Sequence, residues 1–304
     1  TIYKLAYALI FKKLQKVFGD NIRFLVGGGA LLDISQQQFF AAIGVPVYQG
    51  YGLTEATPII SANTPARHKF GTSGMIIPGI ACKIVDDKGN ELPKGKQGEI
   101  IIKGDNVMKG YYLNQEATDS AIREEWLWTG DLGFIDKDDF LVVVGRQKAL
   151  LISPNGEKYS PEGIEEAIVN SSEFIYQVMV YNDMCAYTVA VVTLNVEKIA
   201  KYIRTNAIAS ADDIISVIEK SFYKFLDNEV YKNQFPEIWI PSTFMIVAEP
   251  FTEQNLMINS TLKMVRHKVL DTYKLEIDRM YTPEANSPHN TYNQRTVYEL
   301  FKLK

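Results

Sequence analysis

Residues 47 to 55 read VYQGYGLTE, a short apolar run that breaks into two glycines and ends on a hydroxyl and a carboxylate. Val45, Val47 and Tyr48 have the character of a buried strand end, and Gly50 and Gly52 let the backbone turn where a Cβ would obstruct it. The stretch is therefore predicted as a loop presented from a strand. Gln49 offers an amide that both donates and accepts, Tyr51 an aromatic face, Thr54 a hydroxyl, and Glu55 a hard carboxylate oxygen of the kind Mg²⁺ takes together with phosphates. That set suits a magnesium nucleotide. Taken alone, YGxTE also fits a glycine turn with Glu55 solvated.

Immediately upstream, a strand is expected over Ile22 to Val26, followed by Gly27-Gly28-Gly29-Ala30 and a helix from Asp33 to Ile43. Asp33 with Gln36 three residues on is a capping-box start, and Gly44 is the helix stop. Strand, helix and strand in that order imply a parallel pair with a crossover. Ligands of parallel sheets sit beyond the carboxyl ends of the strands, where both glycine-rich segments fall. GGGALLD lacks the spacing of a dinucleotide fingerprint and is equally consistent with tight packing. Further upstream, Ile2, Leu5, Leu9, Ile10, Leu14, Val17 and Phe18 recur at helical spacing among Lys4, Lys12, Lys13 and Lys16, which predicts an amphipathic, core-packing helix.

Downstream, from about Gly71 to Gly145, short β-branched strands alternate with turns: Ile80 to Val85, Glu99 to Lys103, and Phe140 to Val144. These predict an antiparallel barrel or sandwich. Asp131 follows a Thr-Gly turn in WLWTGDLG, where a carboxylate could accept from two adjacent hydroxyls or cap its own turn. Arg146 and Lys148 follow at a strand start. Asn155-Gly156 marks a turn, and Ser160-Pro161 with Glu165 and Glu166 a capped helix. Strands are expected at Tyr176 to Tyr181 and Tyr187 to Leu194, then helices at Val196 to Arg204 and Ser210 to about Tyr231. The second helix carries Ile214, Ile215, Ile218, Phe222, Phe225 and Leu226 as a core stripe. Residues 281 to 293 read as a loop and Val297 to Leu303 as a closing helix.

YQGYGLTE resembles the signature loop of the adenylate-forming superfamily of acyl-CoA synthetases, peptide-synthetase adenylation domains and luciferases. GGGALLD is similar to its SGGAPL segment, with Gly27 in place of a frequent serine, and GEIIIKGDNVMKGYY (98 to 112) to a segment taken here as scaffold. EPFTEQNLMINSTLKMVRHKV (249 to 269) is similar to the closing motif, keeping Lys263 and Arg266 while Gln254, Leu256 and Asn259-Ser260 depart from it. The long helical segment after Val196 most resembles long-chain fatty acid CoA ligases. The resemblance implies that Gly28, Gly29, Ala30, Gln49, Tyr51, Gly52, Thr54, Asp131 and Arg146 bind ATP or AMP, with Asp131 on the ribose and Glu55 on Mg²⁺. It implies a hinge at Lys148, a coenzyme A channel at Gly156, Glu157 and Lys158, and catalysis by Lys263 together with Thr54 and Glu55. ATP, a fatty acid and coenzyme A are the implied partners. A carrier-protein thiol in place of coenzyme A, or a non-catalytic nucleotide- or acyl-binding module, remain as alternatives. The family's TSGTTGxPKG phosphate loop has no counterpart; Thr72-Ser73-Gly74 follows the signature loop and lacks the lysine. The expectation is a C-terminal part of a longer enzyme, inactive alone.

The implied fold is an α/β portion of a large domain, a parallel-sheet fragment over 1–70 with a β-barrel subdomain over 71–147, followed by a smaller, mobile α+β domain over 148–304. Composition fits two globular domains: 304 residues, 46% hydrophobic. A net charge of −4 from 32 basic and 36 acidic residues argues against a nucleic-acid binder. Cys82, Cys185, His68, His267 and His289 show no metal-ligand spacing, so no metal beyond the nucleotide's Mg²⁺ is expected. The run Leu5 to Phe11 is too short to span a bilayer, and a cytoplasmic setting is the default expectation, with association at a membrane surface compatible with a long-chain substrate. Acyl chain length and oligomeric state are not legible.

Overall fold

A computed structural model describes residues 7–19, 21–30 and 32–302, and its backbone divides into two units, Thr1–Lys148 and Ala149–Lys304. In the first unit a π-helical turn, Tyr7–Phe11, leads into α1 (Lys12–Val17). The expected core-packing stripe instead faces outward: Leu9, Ile10 and Val17 are 59%, 55% and 79% exposed. A stripe is buried only where another element lies against it, and here Phe18 makes such a contact, edge-on to Phe40 with centroids 6.0 Å apart. Ile2, Lys4 and Leu5, counted in the same pattern, lie outside the described residues.

β1 (Leu25–Gly27) is shorter than the predicted strand, and α2 (Ile34–Ala42) follows it. Asp33 caps α2 by accepting from the Ser35 amide at 2.7 Å; in place of the return bond expected from Gln36, Gln37 Nε2 donates to the Leu32 carbonyl at 2.6 Å. Gly44 ends the helix at φ +83°. β2 (Val47–Gly52) then pairs parallel with β1, Leu25 opposite Val47 and Gly27 opposite Gln49, which is the predicted crossover.

The glycines of β2 do not turn the chain. The strand runs through both and pairs antiparallel with β3 (Ile59–Ala62), Gly50 opposite Ala62 and Gly52 opposite Ile59, and a 3₁₀ turn at Thr54–Ala56 makes the bend. Closeness demands glycine here: a Cβ on Gly52 would lie 1.7 Å from the Pro58 carbonyl oxygen. β4 (Met75–Ile76) completes the sheet in the order β1-β2-β3-β4. Thr72-Ser73-Gly74 is a buried joint: the Ser73 amide donates to the Leu141 carbonyl and the Leu141 amide to that of Gly74, each at 2.8 Å.

Next come β5 (Ala81–Val85), β6 (Gly98–Lys103), α3 (Gln115–Ala121), β7 (Ile122–Arg123), β8 (Trp126–Ile135) and β9 (Leu141–Arg146). They form an antiparallel sheet in the order β5-β6-β8-β7, with β9 on β8. The sequence reading placed a turn inside WLWTGDLG, whereas β8 runs unbroken through it. Alternation explains this, since Leu127, Thr129 and Asp131 are buried while Trp126, Trp128 and Gly130 are half-buried. Ile84, Ile100, Ile102, Leu127 and Leu141 pack with Ala56 and Ile60, so this sheet's core also holds the foot of the signature stretch.

The second unit begins with β10 (Leu151–Ile152) and β11 (Lys158–Tyr159), α4 (Glu162–Ser171), β12 (Ile175–Tyr181) and β13 (Val189–Leu194). α5 (Val196–Asn206), α6 (Ala211–Phe222), β14 (Thr243–Ile246), α7 (Arg266–Thr272), α8 (Lys274–Arg279) and α9 (Thr291–Phe301) follow. The sheet order is β12-β13-β14, with β13 antiparallel to β12 and parallel to β14. Every residue of β13 is buried because both faces are covered. Ala190, Val192, Phe244 and Ile246 pack with Ile164, Ile218, Phe222 and Val297 from α4, α6 and α9. The alternate residues Val189, Val191 and Met245 pack with Val269 and Ile277 from α7 and α8.

Two helix boundaries differ from expectation. α6 ends at Phe222 and tightens into a 3₁₀ turn, Tyr223–Asp227, which leaves Leu226 39% exposed and outside the core stripe. α9 starts at Thr291 because Asn290 caps it, accepting from the Asn293 amide at 2.9 Å. The buried Asn293 side chain donates to the Phe244 carbonyl at 2.9 Å and accepts from the Ile246 amide at 2.7 Å, tying α9 to β14. Leu303 lies outside the described residues. Among the described residues no helix is long and apolar enough to cross a membrane.

Candidate nucleotide site

Gln49 and Tyr51 are two residues apart on β2 and so lie on one face. Gln49 is buried, and its Nε2 donates to the Ala30 carbonyl, which ties the end of β2 to the glycine segment after β1. Its Oε1 is buried with no hydrogen-bond donor among the described residues. Such an acceptor fits a ligand that brings an N–H. Gly28, Gly29 and Ala30 are exposed beyond the carboxyl end of β1, the predicted location, while Leu31 lies outside the described residues.

Tyr51 Oη donates to Asp131 Oδ2 at 2.6 Å. Burial, reinforced by the Asp131 charge and its hydrogen bond, pushes the Tyr51 phenol far above its ordinary value, so the tyrosine stays the donor at any working pH. Asp131 lies opposite Arg146 across β8 and β9, and Arg146 Nε reaches Asp131 Oδ1 at 2.8 Å. The carboxylate is 5% exposed, but the guanidinium is mostly in solvent. Three sequence-predicted residues from separate strands thus meet at one carboxylate. Asp131→Asn keeps the shape and removes the charge that orders both neighbours. Affinity for a nucleotide, read by calorimetric titration, is expected to fall by roughly 10- to 100-fold, the worth of one charge-assisted hydrogen bond; unchanged affinity would remove Asp131 from the site.

Glu55 lies on the 3₁₀ turn after β2, and its Oε1 accepts from Tyr111 Oη at 2.8 Å. The GYY segment, read as scaffold from sequence, therefore contributes a side chain to the site. Tyr111 was missed because a tyrosine in a loop announces no partner, although the segment itself was legible. Burial first, then the bond to Glu55 and its charge, raises the Tyr111 phenol above its usual range. The same loop braces the turn: the Met108 amide donates to the Glu55 carbonyl and Asn106 Nδ2 to that of Ala56, each at 2.8 Å. Thr54 is exposed. Among the described residues no group of three or more His, Cys, Asp or Glu is arranged to hold a metal. One half-exposed carboxylate fits a hard cation that draws its other oxygens from phosphates and water.

The remaining candidates belong to the second unit or its boundary. Lys148 lies in the 3₁₀ turn Gln147–Ala149, and the units divide directly after it. Gly156 closes the β10–β11 turn, its amide donating to the Ser153 carbonyl at 2.8 Å, with Pro154 at the second position. Glu157 follows, its amide held by Asn155 Oδ1 at 3.1 Å, and Lys158 opens β11. Lys263 is exposed on a hairpin before α7, and among the described residues its ammonium takes no salt bridge.

The backbone shares its fold with solved enzymes, one of them in complex with AMP. The A-PCP didomain of carboxylic acid reductase from Segniliparus rugosus, solved in complex with AMP, superposes with a TM-score of 0.72 at 25% identity, over 93% of this chain and 38% of that one. Residues 3–112 match the AMP-binding enzyme family and residues 148–285 the AMP-binding enzyme C-terminal domain, so the chain belongs to the AMP-binding enzymes. It is 29% identical to the long-chain-fatty-acid–CoA ligase FadD15 of Mycobacterium bovis over 91% of this chain and 45% of the relative. It is 32% identical to the chloroplastic long-chain-fatty-acid–[acyl-carrier-protein] ligase AEE15 of Arabidopsis thaliana, over 92% of this chain and 38% of the relative. The chain thus spans less than half the length of these relatives.

Proposed function

We propose that this chain is the C-terminal part of an ATP-dependent ligase that joins a fatty acid, of long chain by its relatives, to coenzyme A through an acyl-adenylate. The observation that carries the reading is Asp131, held buried between Tyr51 and Arg146 at a distance where its two oxygens are ordered to accept from vicinal hydroxyls of a ribose. Gln49 offers its unpaired acceptor to the base, and Gly28, Gly29 and Ala30 leave the approach open. Thr54 donates to phosphate, and Glu55 holds Mg²⁺, which when bound neutralises phosphate charge. Lys263, from the second unit, stabilises charge developing between the carboxylate and the α-phosphate. In the second half-reaction the second unit turns at Lys148, withdrawing Lys263 and advancing Gly156 with Glu157 and Lys158 for the thiol that displaces AMP.

The experiment is AMP release by the upstream-extended protein with Mg-ATP and acids of increasing chain length, each with and without coenzyme A. Turnover stimulated by coenzyme A is the expected result. Acyl-adenylate that accumulates without responding to coenzyme A would transfer the acceptor role to a carrier protein, the reading favoured by the Arabidopsis thaliana relative. The 304-residue chain alone is expected to release no pyrophosphate above background, since none of its segments resembles the β,γ-phosphate loop. Ordinary turnover by this chain would overturn that, and nucleotide binding without turnover by the extended protein would favour the non-catalytic module.

A further inference from the structure

The arm of the hairpin that runs on from Lys263 is fastened to the sheet at one residue of β12, Val180. Glu165 Oε1, from α4, accepts from the Val180 amide and from Arg266 Nη1, each at 2.7 Å, and Arg266 Nη2 donates to the Val180 carbonyl. β12 is an edge strand, and Val180 faces its amide and carbonyl outward, where they would otherwise have no ladder partner. The ion pair is well enclosed, the Arg266 and Glu165 side chains being 18% and 13% exposed. Arg266 therefore holds both a charge and a strand edge with the two arms of one guanidinium.

From Arg266 to Lys263 the backbone is bonded without a free hinge. The Val265 amide donates to the Met257 carbonyl at 2.8 Å, Ile258 and Met264 form an antiparallel bridge, and the Asn259 amide donates to the Lys263 carbonyl at 2.9 Å. Asn259 Oδ1 accepts from the Lys263 amide at 2.9 Å and from the Thr261 amide and hydroxyl. The entering arm is held on the same strand: Gln177 accepts from the Phe251 amide at 2.8 Å and donates to its carbonyl at 2.9 Å. Met257 is buried in the core below, while Leu262 at the tip is 79% exposed. The tip that presents Lys263 thus takes its direction from two clamps on β12.

We infer that Glu165 and Arg266 are positioning residues for Lys263: they fix the hairpin from which its ammonium reaches the acyl–phosphate centre. The inference rests on the proposed role of Lys263. It is tested in the upstream-extended protein with Arg266→Ala, Arg266→Lys and Glu165→Gln, comparing ATP–pyrophosphate exchange with thioester formation from supplied acyl-adenylate. Hydrogen exchange of the hairpin amides gives a readout independent of activity. Arg266→Ala is expected to lower pyrophosphate exchange by roughly 10²-fold, the scale of an ångström-sized misplacement, while thioester formation persists. The Asn259, Lys263 and Val265 amides should exchange faster. Arg266→Lys, which keeps the charge and loses the fork, should recover part of the loss. Glu165→Gln keeps the shape and an acceptor for Val180, so it should show the same split at smaller amplitude even if Arg266→Ala fails to fold. Equal loss of both half-reactions, or unaltered hairpin exchange in every variant, would overturn the clamp. Lys263→Ala in parallel separates the two claims: retained adenylation there defeats the role of Lys263, whereas lost adenylation there with normal exchange in Arg266→Ala and Glu165→Gln defeats the clamp.

Discussion

Lys263→Ala is expected, on the proposed ligase function, to slow acyl-adenylate formation by the upstream-extended protein by about 10²- to 10³-fold, the range found when one preorganised stabiliser of transition-state charge is removed. Thioester formation from supplied acyl-adenylate should stay within about twofold, because an interaction absent from that transition state cannot change its height. The folded state predicts no confounding loss of stability. Lys263 is exposed, and its backbone rather than its side chain is what the Asn259 turn holds. Melting temperature should therefore be unchanged, and ATP–pyrophosphate exchange read beside a thioester assay checks the split. Equal loss in the two reactions would end the assignment.

Gly52→Ala is expected to fail for a different reason, through the fold. The added Cβ would sit 1.7 Å from the Pro58 carbonyl oxygen and 2.9 Å from the Ile59 Cα, both backbone atoms where the chain enters the partner strand, so no rotamer change relieves the overlap. Prising β2 from β3 disturbs Ala56 and Ile60, which are fully buried in the first unit's core. A cost above about 4 kcal/mol is expected, in the range reserved for core disruption and backbone conflict. That corresponds to a melting point lower by at least roughly 8 °C for a domain of this size, or to loss of soluble protein. Gly28→Ala is the control: among the described residues its Cβ would meet only the Gly50 carbonyl oxygen at 4.0 Å, so the fold should be untouched and any loss of nucleotide affinity reports the site itself. A Gly52→Ala protein that melts normally would mean the strands have room that the structure does not show.

The contrast between these two glycines shows where sequence reading stopped. Both stand in recognisable motifs: the local pattern implies a turn at Gly52, and the family resemblance implies a nucleotide-binding role for Gly28. Only the partner strand, which arrives through Pro58 and Ile59, makes Gly52 a matter of close approach. Tyr111 is a similar case, since its link to Glu55 spans 56 positions and has no local signal. Asp131 is legible as a carboxylate that accepts from hydroxyls, yet neither its burial nor its place in a strand is, because its partners Tyr51 and Arg146 come from other strands. Only the first turn of the helix capped by Asn290 falls in the stretch whose Pro and Asn content predicts a loop, and there the bonds of Asn293 to β14 override that local preference.

By itself the sequence determined the elements whose information is local: the β1–α2–β2 crossover, the Asp33 cap, the Gly44 stop, the alternating strands, and the motifs that place the chain among AMP-binding enzymes. Periodicity and turn chemistry act over a few residues, so they can be read without knowing what lies opposite. Tertiary structure alone decided that β2 continues through its glycines, that Asp131 is shared by Tyr51 and Arg146, that Tyr111 reaches Glu55, and that Arg266 grips the edge of β12 beside Glu165. Each of these is a contact between residues far apart in the chain. Its energy depends on distance and burial in the folded state, which no local pattern encodes.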